Sequence, residues 1–192
     1  MTAWRPGAPV RLETARFELA SMTRWEAARH SYPWALDPEV MLPFGVPAKA
    51  WTRLGWYKWH KAYNNRKKFC FAIRPKGTPA VIGYESCEIS SQKNAYLTVI
   101  IGDRSWWGKG VVVECRREII RFLFETVGCR RVWGTPSARN LPSVFNYQAL
   151  GFKSEGILRQ HGIDARTLHP VDHLVFGLLR EEWPRTRERT GS

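Results

Sequence analysis

Residues 101–110 read Ile-Gly-Asp-Arg-Ser-Trp-Trp-Gly-Lys-Gly, and they connect a predicted strand to the clearest helix pattern in the chain, at residues 111–127. Two glycines in this turn, Gly108 and Gly110, let a ligand approach the backbone closely. The first N–H groups of a helix carry partial positive charge, so the turn predicts a phosphate or pyrophosphate site. A tight strand–helix connection with a solvated Lys109 explains the same residues equally well.

Residues 140–152 form a second motif, Asn-Leu-Pro-Ser-Val-Phe-Asn-Tyr-Gln-Ala-Leu-Gly-Phe. Asn140 is typical of a helix N-cap, and Gly151 stands where a helix would end. Ser143 and Tyr147 are four residues apart, so they share one face of the predicted helix. Taken alone, the motif is explained by a cap and an aromatic ring packed on a sheet.

The surrounding sequence alternates between strand and helix patterns and predicts one mixed α/β domain over residues 1–180, followed by a polar tail over 181–192. Short turns between three central strands predict an antiparallel meander. Strands are predicted at 10–20, 68–74, 80–89, 95–101, 130–135, 152–158 and 171–179, and helices at 23–30, from 37, at 48–65, 111–127 and 140–150.

The composition is that of a globular protein, because hydrophobic residues make up 44% of the 192 residues and charged residues 24%. It excludes a disordered chain and a fibrous repeat. No apolar run is long enough for a membrane span, and the first residues lack a signal-peptide core, so we expect a cytoplasmic protein without a membrane partner. Four cysteines without a Cys-x-x-Cys pair predict neither a metal site nor disulfides.

The charge is strongly basic, with 30 Lys and Arg against 17 Asp and Glu, a net charge of +13 and a pI near 10.1. Such a balance favours polyanionic partners such as nucleic acids or phosphorylated cofactors. Residues 40–84 contain nine Lys and Arg and no acidic residue, interleaved with aromatic side chains, which suits a nucleic-acid surface. A solvated helix with a tryptophan-lined core face is the simpler interpretation.

In this order and spacing, the two motifs resemble those of the GNAT superfamily of N-acyltransferases, particularly its ribosomal-protein-alanine acetyltransferase branch. The resemblance runs from about Arg11 to Leu179. It implies a mostly antiparallel sheet that is splayed between the strands near 95–101 and 130–135. The most specific pieces are residues 101–110, Glu114, Asn140-x-x-Ser143 and Leu150-Gly151-Phe152.

The resemblance implies that acetyl-CoA is the acyl donor and lies in the splay, with its pyrophosphate on the backbone amides of residues 108–113. An amine would attack the thioester directly. Tyr147 would then protonate the thiolate, with Ser143 beside it, and a backbone N–H near residues 99–101 would stabilise the oxyanion. The donor-binding residues implied are Ile101, Trp107, Gly108, Lys109, Gly110, Val111, Val112, Asn140 and Ser143.

The acceptor is expected to be a small-molecule or peptide amine. Trp51, Trp56 and Trp59 lie in the acceptor region that the resemblance implies, and we expect them to shape its pocket. Glu85 lies on a central predicted strand and is a candidate pocket residue, although an exposed glutamate is the commoner outcome there. No general base is evident, and the sequence fits a monomer or a homodimer.

Two other functions remain open. The same fold can take its acyl group from aminoacyl-tRNA, and three features favour that donor: the charge of +13, the acid-free stretch at 40–84, and Val112, where the family usually has Gly or Ala. A non-catalytic nucleic-acid-binding module is the third hypothesis, against which Asn140 and Tyr147 argue.

Overall fold

The computed structural model describes residues 4–44 and 52–183. Residues 10–20, predicted as one strand, form a hairpin instead, because the chain reverses at Thr14. The Thr14 Oγ1 atom accepts a hydrogen bond of 2.9 Å from the Phe17 N–H, which closes the turn. The same hydroxyl donates to Glu114 over 2.6 Å and ties the hairpin to a helix that starts at the glycine turn.

An eight-stranded sheet organises the described residues. Its strand order is β1-β2-β3-β4-β5-β6-β8-β7, and every neighbouring pair is antiparallel except β5 and β6, which are parallel. The mixed, mostly antiparallel fold is therefore confirmed. The strands are β1 (Arg11–Glu13), β2 (Phe17–Ser21), β3 (Lys68–Pro75), β4 (Gly83–Ile89), β5 (Asn94–Ile101), β6 (Arg131–Gly134), β7 (Lys153–Ile163) and β8 (Pro170–Leu179).

The first helices begin close to the predicted positions 23 and 37, and side chains cap them there. Thr23 and Glu26 form a reciprocal capping box, and the Asp37 carboxylate accepts hydrogen bonds from the N–H groups of Glu39 and Val40. The helices are α1 (Arg24–Glu26), a π-helical turn (Ala27–Ser31), α2 (Tyr32–Leu36), α3 (Pro38–Met41), a 3-10 turn (Leu42–Phe44), α4 (Arg53–Trp59), a 3-10 turn (His60–Ala62), a 3-10 turn (Arg104–Trp106), α5 (Val111–Arg121), a π-helical turn (Phe122–Thr126), α6 (Leu141–Ala149) and a 3-10 turn (Arg180–Glu182).

The helices cover both faces of the sheet. Alternate residues of β3 are buried on opposite sides, with Phe69, Phe71 and Ile73 in one apolar cluster and Cys70 and Ala72 in another. The first cluster also contains the apolar face of α5, and the second contains residues of the N-terminal helices. β3 is therefore buried on both faces, which explains its nearly continuous apolar sequence.

The sheet opens between its two parallel strands. β5 and β6 pair only through Asn94 with Arg131, Ala95 with Val132, and Tyr96 with Trp133. Beyond Tyr96, β5 continues to Ile101 along β4, while β6 continues along β8. The strands therefore diverge where the family resemblance implied a splay, and a cleft opens between them.

The described chain ends at Trp183, which is buried and whose ring centroid lies 6.0 Å from that of Phe124. The predicted boundary at residue 180 and the polar tail over 181–192 stay predictions, because residues 184–192 lie outside the described residues. In the ranges 4–44 and 52–183, no helix is both long and apolar enough to cross a membrane.

Candidate active site

The cleft has a volume of about 630 Å³ and lies between β5 on one side and the start of α6 on the other. Its walls are mostly apolar. The lining includes Tyr96 to Ile101, Trp106, Trp107, Gly108, Gly110, Val111, Val112, Arg116, Thr135, Ser137, Asn140, Ser143, Tyr147 and His173.

The glycine turn closes one end of the cleft. Gly108 and Gly110 have φ values of 73° and 70°, in the left-handed region that glycine adopts without strain. Gly110 is the N-cap of α5, and it brings no side chain to cap the first N–H groups of the helix. Uncapped N–H groups at a helix start, together with the helix dipole, are suited to an anionic group.

Side-chain hydrogen bonds hold this turn in place. The Trp107 Nε1–H donates to the Ile101 carbonyl over 2.8 Å, and Arg16 Nη2 donates to the Lys109 carbonyl over 3.0 Å. The Arg16 Nε–H also bonds Glu114, over 2.7 Å. The Lys109 side chain is not part of the cleft lining; its Nζ atom lies 5.4 Å from the Trp106 ring centroid.

Helix α6 begins differently on the opposite wall. The Asn140 Oδ1 atom accepts a hydrogen bond of 3.2 Å from the Ser143 N–H, so Asn140 is the predicted N-cap. Asn140 and Ser143 both line the cleft. Their side chains therefore stand beside any ligand that extends from the glycine turn along the cleft.

Tyr147 lies one turn further along α6, with its phenol in the floor of the cleft and only 3% of the residue exposed. Its ring stacks on Phe176 with centroids 5.3 Å apart and meets the edge of Phe152 at 4.9 Å. A Cβ atom at Gly134 would come within 1.9 Å of the Tyr147 hydroxyl, so only glycine leaves room for the phenol. Burial raises the pKa of Tyr147, while the nearby Arg116 guanidinium lowers it.

Glu85 is fully buried and does not line the cleft; its Oε1 atom accepts a 2.6 Å hydrogen bond from the Arg116 Nε–H. Burial raises the pKa of the Glu85 carboxyl, while the neighbouring Arg116 guanidinium acts to lower it. Arg116, which does line the cleft, was not among the predicted site residues. Its position one helical turn from both Val112 and Ile120, on an otherwise apolar stripe, is the signal that could have revealed it.

Two of the three predicted acceptor tryptophans, Trp56 and Trp59, do not line the cleft. Trp56 is buried among the N-terminal helices, where its Nε1–H donates to the Ser31 hydroxyl over 2.9 Å. Trp59 stacks on Trp56 with ring centroids 5.0 Å apart, and neither residue lines the cleft. Trp51 lies outside the described residues. A role for these residues in acceptor binding stays a prediction.

His173 lines the cleft, although it was not among the predicted site residues. Its Nδ1 atom lies 3.0 Å from the Thr135 carbonyl oxygen. Burial lowers the pKa of His173, with the neighbouring His161 acting in the same direction. Among the residues of 4–44 and 52–183, no group of three or more His, Cys, Asp or Glu side chains is arranged to hold a metal ion.

These features define a class of protein: a mixed α/β domain whose sheet opens into a cleft, with a glycine turn and an uncapped helix start at one end. The family follows from the sequence. The model of the GNAT acetyltransferase domain matches residues 16–153, and the chain belongs to this family. No curated protein sequence matches the chain.

Solved structures of several acetyltransferases are similar to this fold. RimJ of Mycobacterium smegmatis, solved with CoA-disulfide, has a TM-score of 0.80 and 20% identity, with 98% of each chain covered. The ribosomal-protein-S5-alanine acetyltransferase of Vibrio fischeri has a TM-score of 0.78 and 18% identity, covering 91% of this chain and 98% of its own. Spermidine N-acetyltransferase of Vibrio cholerae, solved with CoA and spermine, has a TM-score of 0.79 and 15% identity, covering 88% and 98%.

Proposed function

We propose that this protein transfers the acetyl group of acetyl-CoA to a primary amine, with donor and acceptor bound together. The observation that carries the proposal is the cleft itself. It joins uncapped helix N–H groups at the glycine turn to the buried Tyr147 phenol. A donor with a pyrophosphate at one end and a thioester at the other fits this cleft, with the pyrophosphate at the glycine turn and the thioester near Tyr147.

The residues of the cleft fit such a donor. The N–H groups at the start of α5 would hold the pyrophosphate, since Gly108 and Gly110 bring no side chain between backbone and ligand. Asn140 and Ser143 would contact the pantetheine arm. On the β6 side, the N–H groups of β5 beyond Tyr96 have no strand partner, so one of them can donate to a developing oxyanion.

The chemistry follows from the atoms near the thioester. The amine nitrogen forms a bond to the thioester carbon, the C–S bond breaks, and the electron pair stays on sulfur. Tyr147 gives its phenolic proton to the departing thiolate, and the proton lost by the amine restores the phenol through solvent. A phenol is a suitable acid for a thiolate because both groups ionise within the same alkaline range.

The acceptor that we propose is a primary amine on a small molecule or at a peptide N-terminus. Among the neighbours, two structure names refer to amine acceptors of these two kinds, spermidine and ribosomal protein S5 alanine. We assign no general base to this chain, because Glu85 is buried away from the cleft lining.

Donor binding is the experiment that tests the proposal. Acetyl-CoA, mixed aminoacyl-tRNA and uncharged tRNA are titrated separately against the protein at physiological salt, with Trp107 among the fluorophores that line the cleft. We expect saturable micromolar binding of acetyl-CoA, and release of free thiol when an amine panel is added. No binding of acetyl-CoA would reject it as the donor.

Aminoacyl-tRNA is the second candidate donor, favoured by an aromatic–basic patch formed by Arg24, Trp25, Arg53, Tyr57 and Lys58. Trp25 is 75% exposed, its ring centroid lies 4.9 Å from that of Tyr57, and the Arg24 guanidinium lies 4.8 Å above the same tyrosine. Exposed aromatic rings beside cations suit unstacked bases and phosphates.

Two substitutions test the aromatic–basic patch. Trp25→Ala should weaken tRNA binding severalfold if the patch binds RNA, whereas Leu168→Ala, at an equally exposed apolar residue, should not. Tight binding that requires the aminoacyl group would make aminoacyl-tRNA the donor. Equal binding of charged and uncharged tRNA, without acetyl-CoA binding, would instead favour a non-catalytic nucleic-acid-binding module.

A further inference from the structure

Arg116 is a buried cation in the floor of the cleft, and one of its nitrogen atoms has no hydrogen-bond partner among the described residues. The residue is 1% exposed, and its Nε–H donates to Glu85 over 2.6 Å. Its Nη1 atom, also buried, has no hydrogen-bond partner among residues 4–44 and 52–183. The Glu85 Oε2 atom is likewise buried without a partner in the described residues.

The guanidinium lies against the group that the proposed function uses as its acid. The Arg116 Cζ atom is 4.8 Å from the centroid of the Tyr147 ring, and both residues line the cleft. Glu85 comes from β4, Arg116 from α5 and Tyr147 from α6, so the three side chains join separate elements. The Arg116 guanidinium lies between the other two groups: it contacts the Glu85 carboxylate and the Tyr147 ring.

We propose that Arg116, held in place by Glu85, is a positioning residue for Tyr147 that stabilises the phenolate left when Tyr147 gives up its proton. This inference rests on the proposed function. When the C–S bond breaks, the Tyr147 O–H bond breaks and an S–H bond forms. The negative charge passes from sulfur to the phenolic oxygen, next to the Arg116 cation, until the phenol regains the amine's proton through solvent.

Stability alone does not account for this buried pair. Taking two charges out of water is costly, and well-packed apolar residues of similar volume often stabilise a fold at least as well. Removing one partner, in contrast, leaves an uncompensated charge. The pair therefore supplies a fixed cation next to Tyr147 while Glu85 keeps the buried site neutral overall.

The surroundings of Tyr147 contain few other titratable groups. Arg116 faces it from α5, Glu85 from β4 and Tyr96 from β5, and the contacts from β8 and from the end of α6 are the apolar rings of Phe176 and Phe152. Tyr96 is hydrogen-bonded to the Thr135 hydroxyl over 2.8 Å. The cysteines near Glu85, Cys87 and Cys115, have pKa values raised by burial and remain neutral thiols.

The test measures the pH profile of kcat for acetyl transfer in two single variants. Only enzyme with a protonated Tyr147 turns over, so kcat falls as the pH rises through the pKa of Tyr147. This fall is the alkaline limb of the profile. Arg116→Met removes the cation, raises this pKa and moves the alkaline limb to higher pH, with kcat at neutral pH reduced at least tenfold. Glu85→Gln leaves the cation uncompensated and moves the limb to lower pH. The KM for acetyl-CoA stays within about twofold in both.

Glu88→Gln is the matched control, because Glu88 lies on the same strand but is exposed and pairs with Lys68. Its profile should equal that of the parent. A merely structural role for the buried pair predicts lower stability without opposite shifts of the limb, so shifts in the same direction, or none, overturn the inference. If Tyr147→Phe loses activity but the Arg116 and Glu85 variants do not shift the limb in opposite directions, only this inference is overturned. Full activity in Tyr147→Phe would reject Tyr147 as the acid.

A double variant covers the case in which a single variant does not fold. Glu85→Gln/Arg116→Met removes both charges and leaves no unpaired ion. We expect it to fold, to bind acetyl-CoA like the parent, and to lose at least tenfold in kcat. A parental kcat in this variant would show that Arg116 is not needed and would overturn the proposal.

Discussion

Helices α5 and α6 begin on opposite walls of one cleft, yet their first turns are built in opposite ways. The start of α5 has a left-handed glycine, Gly110, and no side-chain cap. At the start of α6, the Asn140 side chain accepts a hydrogen bond from the Ser143 N–H. One helix therefore offers its free N–H groups to a ligand, and the other satisfies part of its own.

This difference separates binding from chemistry. An uncapped helix start at a glycine turn is suited to an anion, so α5 should determine how tightly the donor binds. The capped helix α6 has a fixed start, and it carries Tyr147 into the floor of the cleft. Variants on the two helices should consequently change different kinetic constants.

The largest expected effect is on α6. Tyr147→Phe removes the proposed acid and keeps the ring that stacks on Phe176. We expect kcat to fall about 10²- to 10⁴-fold, while the Kd for acetyl-CoA changes less than about threefold. Stopped-time thiol release and donor titration measure the two constants. A kcat within a few-fold of the parent would show that α6 does not supply the acid.

A buried group far from both helix starts should affect stability alone. His60 is buried among the rings of Trp56, Tyr63 and Tyr84, and burial lowers its pKa to about 4. Unfolded His60 takes up a proton below about pH 6.5 that the folded state does not. The contribution of neutral, buried His60 to the free energy of unfolding is thus complete above pH 6.5. It is lost as the pH falls toward 4, and the loss is about 2 kcal/mol at pH 5.

Chemical denaturation at pH 7 and pH 5 checks this effect of His60. His60→Phe should flatten the pH dependence of the unfolding free energy, while the exposed His169→Phe should retain it. Donor affinity at pH 7 should be unchanged in both variants. An unaltered pH dependence in His60→Phe would contradict the assignment to this residue.

The glycine turn offers the sharpest test of the α5 side. Gly108 and Gly128 have φ values of 73° and 76°, and a Cβ atom at either would meet nothing within 4 Å. An alanine at either position should therefore lower the free energy of unfolding by about 1–2 kcal/mol, because its Cβ atom is strained in the left-handed region. Only Gly108 lines the cleft, so only Gly108→Ala should also weaken acetyl-CoA binding, by about tenfold or 1.4 kcal/mol.

Thermal unfolding and donor titration of the two alanine variants separate these contributions. Equal loss of stability with unequal donor affinity would support an anion site at the start of α5. If Gly108→Ala and Gly128→Ala bound acetyl-CoA equally well, the pyrophosphate would have to lie elsewhere.

The smallest effect concerns the cap of α6. Asn140→Ala removes the side chain that accepts from Ser143 N–H, and Thr52→Ala removes the equivalent cap of α4, which accepts from Gly55 N–H over 3.0 Å. Each should cost about 1 kcal/mol of unfolding free energy. Only Asn140 lines the cleft, so only Asn140→Ala should lower kcat/KM for acetyl-CoA, a few-fold in a steady-state assay. An identical kcat/KM in both variants would leave Asn140 with a capping role alone.

Local sequence signals predicted much of this molecule. Helices begin close to the predicted positions 23, 37 and 140, where Thr23, Asp37 and Asn140 act as caps, because a capping side chain bonds N–H groups two or three residues away. The hairpin within residues 10–20 was missed, because its turn depends on Thr14, whose hydroxyl also contacts the distant Glu114. Strand periodicity over a short range does not show where the chain reverses.

The candidate site was predicted only in part. The predicted donor-binding residues and Tyr147 line one cleft, apart from Lys109, because a glycine turn and a helix cap are local features. Trp56 and Trp59 pack among the N-terminal helices instead, since an aromatic stripe is equally suited to a core and to a pocket. Sequence alone does not show which side of a helix faces its neighbours.

Apart from the hairpin within residues 10–20, the sequence by itself determined the order of the elements. It also determined the helix caps and the glycine turn at the start of α5, since each depends on residues close together in the chain. Tertiary structure decided where β5 and β6 part and which charges are buried. Glu85 and Arg116 are 31 residues apart and meet only because β4 and α5 pack together. Contacts of that kind depend on the packing of whole elements, and no local pattern encodes them.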